Sequence, residues 1–166
     1  MLVPSHRYTH EFIWIAPGDD SWNTDKTNAE EQAIARGESE WASVREHPMT
    51  RYWSGESRCD LATVKQYLLP DKQPTMFRLR RLPLSQWAAI QQLEERGLNV
   101  QARIERVRFG LAGIDNGPNA IGLTPGALAD ADIAAVKEML GDTVFGMLSN
   151  AIHACNRDLG PSELFR

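Results

Sequence analysis

Trp14, Trp22, Trp41, Trp53 and Trp87 are the tryptophans of this chain, and none lies beyond position 87. After Trp87 the aromatic residues are Phe109, Phe145 and Phe165. Indole rings must be buried in a core or used as contact anchors, because their apolar area is too large to leave in water. An aromatic, proline-punctuated first half therefore precedes an aliphatic, alanine-rich second half. The second half reads as scaffold, and the first as the part that meets something.

The chain has 166 residues, enough for one domain with a core or for a domain plus an arm. Hydrophobic residues make up 42% and charged residues 24%, which excludes a disordered chain, although Pro17–Glu40 is polar enough to be loose. The net charge of −4 argues against a dedicated nucleic-acid binder and leaves a protein partner open. Cys59 and Cys155 lie far apart, and Met1–His10 lacks the apolar core of a signal peptide. Reduced thiols in a cytosolic protein are the expectation, with a single disulfide as the alternative. No run approaches the roughly 20 apolar residues of a membrane span, so a soluble, unexported protein is expected.

Thr9–Ile15 predicts a strand with Phe12 and Trp14 on one face and Ile13 and Ile15 on the other. Such a strand wants cover on both sides, or a partner surface. Ser21–Asn28 reads as a loop, and Ala29–Arg36 as a short helix capped by Thr27 or Asn28 and closed by Gly37. Glu38–Glu46 reads as another helical stretch, stopped by Pro48. A turn at Ser54-Gly55 and a helix over Leu61–Leu69, with Leu61, Val64 and Leu68 on one face, follow. Pro70 and Pro74 bracket a linker where the main boundary is placed.

Thr75–Leu82 is the clearest strand pattern. A helix capped by Ser85 runs to about Arg96 with Trp87, Ile90 and Leu93 or Leu84 as its stripe, and Gly97 ends it. Asn99 opens a stronger helix to about Leu111, in which Val100, Ile104, Val107 and Leu111 form a single apolar face. Ile114–Gly126 is a turn-rich connection with room for a small hairpin. One helix then carries Ile133, Val136 and Leu140 and ends at Gly141; Asp142 caps the last, which runs to about Arg157. Few strands and a run of helices, without βαβ alternation, define an α+β, predominantly helical fold.

Chemistry-bearing patterns are sparse. His6 and His10 have i,i+4 spacing, but in an extended segment that separates them by about 13 Å, which does not suit one metal. His153 and Cys155 at i,i+2 point apart on a helix, so they form no nucleophile pair, and Cys155 reads as a small core residue. Asp19-Asp20 and Asp130-x-Asp132 fall where carboxylates serve as caps. No phosphate-binding glycine loop and no nucleophile elbow is present. Arg78, Arg80 and Arg81 with Arg103, Arg106 and Arg108 form the one basic concentration, and could make a patch if strand and helix pack together.

The order of the second half carries a resemblance. Strand TMFRLRRL is followed by helix SQWAAIQQL, helix ARIERVRFGLAGIDN with its Gly113-Ile114-Asp115-Asn116-Gly117 turn, NGP, LTPGALADAD, and closing helices ending near SELF. Over about Thr75–Phe165 it resembles the tail assembly chaperones and related small morphogenesis proteins of tailed bacteriophages. The resemblance implies a non-catalytic assembly role, with no catalytic residue to carry over.

The expectation is thus an interaction arm at residues 1–74 and a mainly helical domain at residues 75–166. It is read as a tail assembly or minor virion/neck component, in host cytoplasm during assembly or in the virion. No enzyme activity, cofactor, metal or membrane is expected. Partner contact is assigned to Phe12, Trp14, Trp41, Tyr52, Trp53, Arg78 and Arg80, toward other phage structural proteins or copies of itself. The alternative is a small cytosolic enzyme whose site is assembled from distant residues such as His47, Asp60 or His153.

Overall fold

A computed structural model describes residues 11–39, 64–117 and 127–157. Its elements run β1 (Glu11–Ile15), α1 (Thr24–Ala35), β2 (Met76–Arg80), α2 (Leu84–Glu95), α3 (Asn99–Gly110), β3 (Leu111–Asp115) and α4 (Asp130–Arg157). The fold is α+β and predominantly helical, with one small antiparallel sheet in the order β1-β2-β3.

Register explains how the sheet carries two cores. Phe12 faces Leu79 and Trp14 faces Phe77 across β1 and β2, and this side points into the helical layer. Trp14 is 1% exposed and meets the Phe77 ring edge-on at 5.4 Å between centroids. The alternate residues Ile13, Ile15 and Met76 face the opposite way, onto a smaller cluster of Trp22, Val64, Tyr67, Ile34 and Leu68. Both sides of β1 are therefore covered by this chain. A strand with a period of two and apolar residues on each face is stable only under such double cover.

A bulge sets β3. Arg78 lies opposite Gly113, but Leu79 lies opposite Leu111, leaving Ala112 as the extra residue. Without it Leu111 would fall on the arginine face; with it, Leu111 joins Phe77 and Leu79 in the core. On the other side the Arg78 guanidinium lies over Gly113, in the space that a Cβ there would occupy.

The helical layer comes from α2, α3 and α4. The α2–α3 turn is a Schellman closure: Gly97, at φ +75°, donates to Glu94 O and Leu98 donates to Leu93 O. Between α3 and α4 the approach is close. A Cβ on Gly110 would stand inside contact distance of Ile152 Cγ2 and 3.1 Å from its Cδ1. Gly141, at φ +77°, ψ 164°, is not helical, so α4 consists of two helices that meet at a kink there. The expected stop at Gly141 and restart at Asp142 is what the backbone shows.

Several boundaries differ from expectation. Asn23, whose side chain accepts from Lys26 N, opens α1 at Thr24, well before Ala29. Trp22 fixes that start by donating Nε1–H to Ala16 O at 2.8 Å and bridging to Leu68. Of the helix expected over Leu61–Leu69, residues 64 and 65 are helical; a turn follows, and Leu68 joins the bridge. Neither Ser85 nor Asn99 is a cap: Pro83 and Leu98 hold those positions without a side-chain bond. The stretch Glu38–Glu46 lies, from residue 40 on, outside the described residues, as does the Ser54-Gly55 turn.

The boundary expected at Pro74 does not divide the core. β1 is hydrogen-bonded to β2, and Phe12, Trp14 and Ala16 belong to the same buried cluster as Val107, Leu148 and Ile152. The reason is that β1 pairs with β2 across that point in sequence, so Phe12 and Trp14 pack with Phe77 and Leu79.

Candidate functional site

Of the residues expected to meet a partner, Phe12 and Trp14 are interior. The cover they need comes from the helical layer, so they are not surface anchors. Trp41, Tyr52 and Trp53 lie outside the described residues. Arg78 and Arg80 lie on the sheet face away from that layer. Arg78 pairs with Asp115 at 3.2 Å, and Arg80 Nε donates to Phe109 O at 2.8 Å.

The six arginines that could make a patch if strand and helix packed together are dispersed. Arg81 lies over the Phe12 ring, 5.2 Å from its centroid. Arg106 is sunk between helices, its side chain 6% exposed, paired with Glu94 of α2 and donating to Ser149 Oγ of α4 at 3.0 Å. Arg108 donates to Leu128 O at 2.7 Å and to Asp130 at 2.6 Å, and also pairs with Glu105. That three-way contact fixes the start of α4, and the Asp130 hydrogen bond raises the Arg108 pKa above its ordinary value. Arg103 remains exposed. Strand and helix do pack, but most of these guanidiniums serve the fold and no joint basic surface results.

The polar groups considered for catalysis are similarly engaged. Asp19 accepts from Ser21 N and Oγ through one oxygen and from Thr75 N through the other. It borders a cleft of about 340 Å³ between the end of the sheet and the α4 kink, lined otherwise mainly by Ala16, Phe77, Leu140 and Val144. Asp132 accepts from Ala129 N as a helix cap. His153 stacks on Trp87 at 5.0 Å, and Cys155 is buried in the core. His47 and Asp60 lie outside the described residues. Among the described residues no group of three or more His, Cys, Asp or Glu is placed to hold a metal ion.

What the geometry does bring together is apolar. The stripe Val100–Ile104–Val107–Leu111 is the single apolar face expected from the sequence, but its cover is uneven. Val107 and Leu111 are fully buried, Ile104 is half-buried, and Val100 is 65% exposed. Leu98, just before the helix, is 39% exposed. The physical reason is that β3 begins at Leu111 and the sheet covers only that end of the stripe. On either side of Val100 and Ile104 the surface is concave. One groove runs by Leu98, Gln101 and Glu105 toward Arg108 and Asp130. The other runs by Arg103 toward Lys137, Asp142 and Phe145 of α4. The sequence signal for this site was present in the stripe itself; what it did not show is where cover stops.

No protein-family model matches the chain, and neither a curated protein nor a solved structure matches it. Among the described residues no helix is long and apolar enough to cross a membrane.

Proposed function

We propose that this protein works through protein–protein contact, as a structural or assembly component of a tailed phage, and not by catalysis. One observation supports the contact: the apolar stripe of α3 continues past its cover, leaving Val100 and Leu98 exposed beside half-buried Ile104. An exposed apolar ridge between grooves and bordered by charged residues is the pattern of a docking surface. The phage context rests on the order of elements from Thr75 to Phe165. The contact surface is then the tip of the α2–α3 hairpin, in place of Phe12 and Trp14.

The test is affinity purification of the full chain from infected cells, with the captured proteins identified by mass spectrometry. Tail or neck proteins held by the native chain and lost with Val100→Asp would support the reading. Capture of the same proteins by both forms would place the contact elsewhere, and recovery of no virion protein would remove the phage assignment.

A further inference from the structure

We propose that the cleft between the end of the sheet and the α4 kink binds a primary alkylammonium, with its apolar stem inside and its ammonium at Asp19. This site is independent of the docking reading above, since the cleft and the α3 ridge share no residue. The interior sets the stem. Phe77 and Ala16, both buried, line the cleft from the sheet side, and Met139, Leu140 and Val144 line it from the two helices that meet at Gly141. A volume of about 340 Å³ lies at the lower end of the ~300–1,000 Å³ usual for ligand cavities, which suits a short chain better than a fused ring system.

The rim sets the head group. Its polar side chains are Asp19 and Thr75. A carboxylate offers roughly four lone-pair positions. Ser21 N–H and Oγ–H occupy those of one Asp19 oxygen, and Thr75 N–H takes one on the other. A position on Oδ2 is left, beside Thr75. The Thr75 hydroxyl donates to Asn116 O at 3.2 Å, so toward the cleft it can only accept. Neither side chain has a proton to give, and the head group must therefore be a donor. Charge decides which donor. Among the described residues no cation pairs with Asp19; Lys72 pairs with Asp20 instead, at 3.3 Å. The donors that Asp19 does have are neutral, so the mouth keeps a carboxylate without a counter-ion. A primary ammonium brings positive charge and three donors, and its bond to a carboxylate is roughly twice as strong as a neutral one. A free alkylamine and a lysine side chain share this chemistry.

The test is methyl NMR of the full chain at neutral pH, following Met139, Leu140 and Val144. Hexylamine, hexanol and Nα-acetyl-lysine methylamide are each added to about 20 mM, which reaches millimolar dissociation constants. Hexylamine should give saturable shifts confined to these methyls. Hexanol has the same stem without the charge and should bind at least about tenfold more weakly. Asp19→Asn should remove that preference and leave hexanol binding unchanged. If Asp19→Asn loses its thermal transition, the comparison of hexylamine with hexanol on the native chain still decides. Thr75→Val, which keeps the N–H donated to Asp19, should weaken hexylamine and spare hexanol. Saturation by the lysine derivative as well as by hexylamine assigns a partner's lysine side chain as a sufficient ligand, and saturation by hexylamine alone assigns a free amine. Equal binding of hexanol and hexylamine overturns the recognition of a cation. No saturable shift at these methyls overturns the site.

Discussion

Arg106 is buried and Glu94, its partner, is 39% exposed. The two ends of this pair should therefore respond unequally to mutation. Removing Glu94 strands a guanidinium between three helices with only Ser149 to receive it. Removing Arg106 frees a carboxylate that can turn to water. Breaking a buried pair from the exposed side leaves the buried charge uncompensated, so Glu94→Ala should cost about 2–3 kcal/mol and Arg106→Met about 1 kcal/mol or less. Urea denaturation of both variants checks the order. Gly110 is a second such position. Alanine there gains up to about 1 kcal/mol of helix propensity, but its methyl has no room against Ile152, which is fully buried and β-branched. Overpacking of about 1–3 kcal/mol should win, and Ile152→Val in the same chain should recover part of the loss. Arg108 gives a pH statement. A cation with a raised folded pKa contributes fully below its unfolded value and loses that contribution only as pH rises through the folded one. For Arg108 that window lies above the ordinary arginine range. The stability difference between the native chain and Arg108→Leu should thus be constant from about pH 7 to about pH 10, read by urea titration at each pH.

Among the elements, Gly141 decides most. Its backbone, at φ +77° and ψ 164°, lies in a region essentially reserved for glycine, although nothing stands within 4 Å of an added Cβ. Gly141→Ala should therefore cost about 1–3 kcal/mol from conformation alone. The comparison with Gly97 is informative, because its Schellman position accepts asparagine. Gly97→Asn should be nearly neutral, whereas Gly141→Asn should be as costly as alanine; thermal melts of the three variants suffice. These glycines also show what the sequence could convey. Gly97 and Gly37 announced helix ends correctly, since a Schellman glycine is local chemistry. Gly141 announced an end as well, and the backbone leaves helical geometry there; what the sequence did not show is the angle at which the next helix continues. Thr24–Asn28 lacks apolar periodicity, and its helix is set by Asn23 and the buried Trp22, a tertiary cause. LAGID looked like a helix tail because the bulge that returns Leu111 to the core depends on Arg78 and Leu79 across the sheet. The stripe of α3 was legible, but the place where its cover ends was not, since that depends on the sheet and α4.

At the scale of the molecule, the described parts of the two halves share one buried cluster. The aromatic first half reads as an arm because its tryptophans sit in polar, turn-rich surroundings with few residues to build a core of their own. The neighbours of Phe12 and Trp14 are Phe77 and Leu79, more than sixty residues away. β1 closes one edge of a three-stranded sheet, and both its faces are core, so its loss uncovers Phe77 and Leu79 on one side and Trp22 and Val64 on the other. A chain beginning at Thr75 keeps α2, α3 and α4, but two strands with a bulge are a poor platform for them. Fully burying one large apolar side chain contributes about 1.5–3 kcal/mol, and this deletion removes several against a total stability of about 5–15 kcal/mol. The shortened chain should retain helical far-ultraviolet dichroism, lose its cooperative urea transition and bind a hydrophobic dye, as compact states without fixed packing do. Were it instead to unfold cooperatively at the midpoint of the full chain, the first half would be a separable arm, and the common core spanning Pro74 would be the wrong account of what holds this protein together.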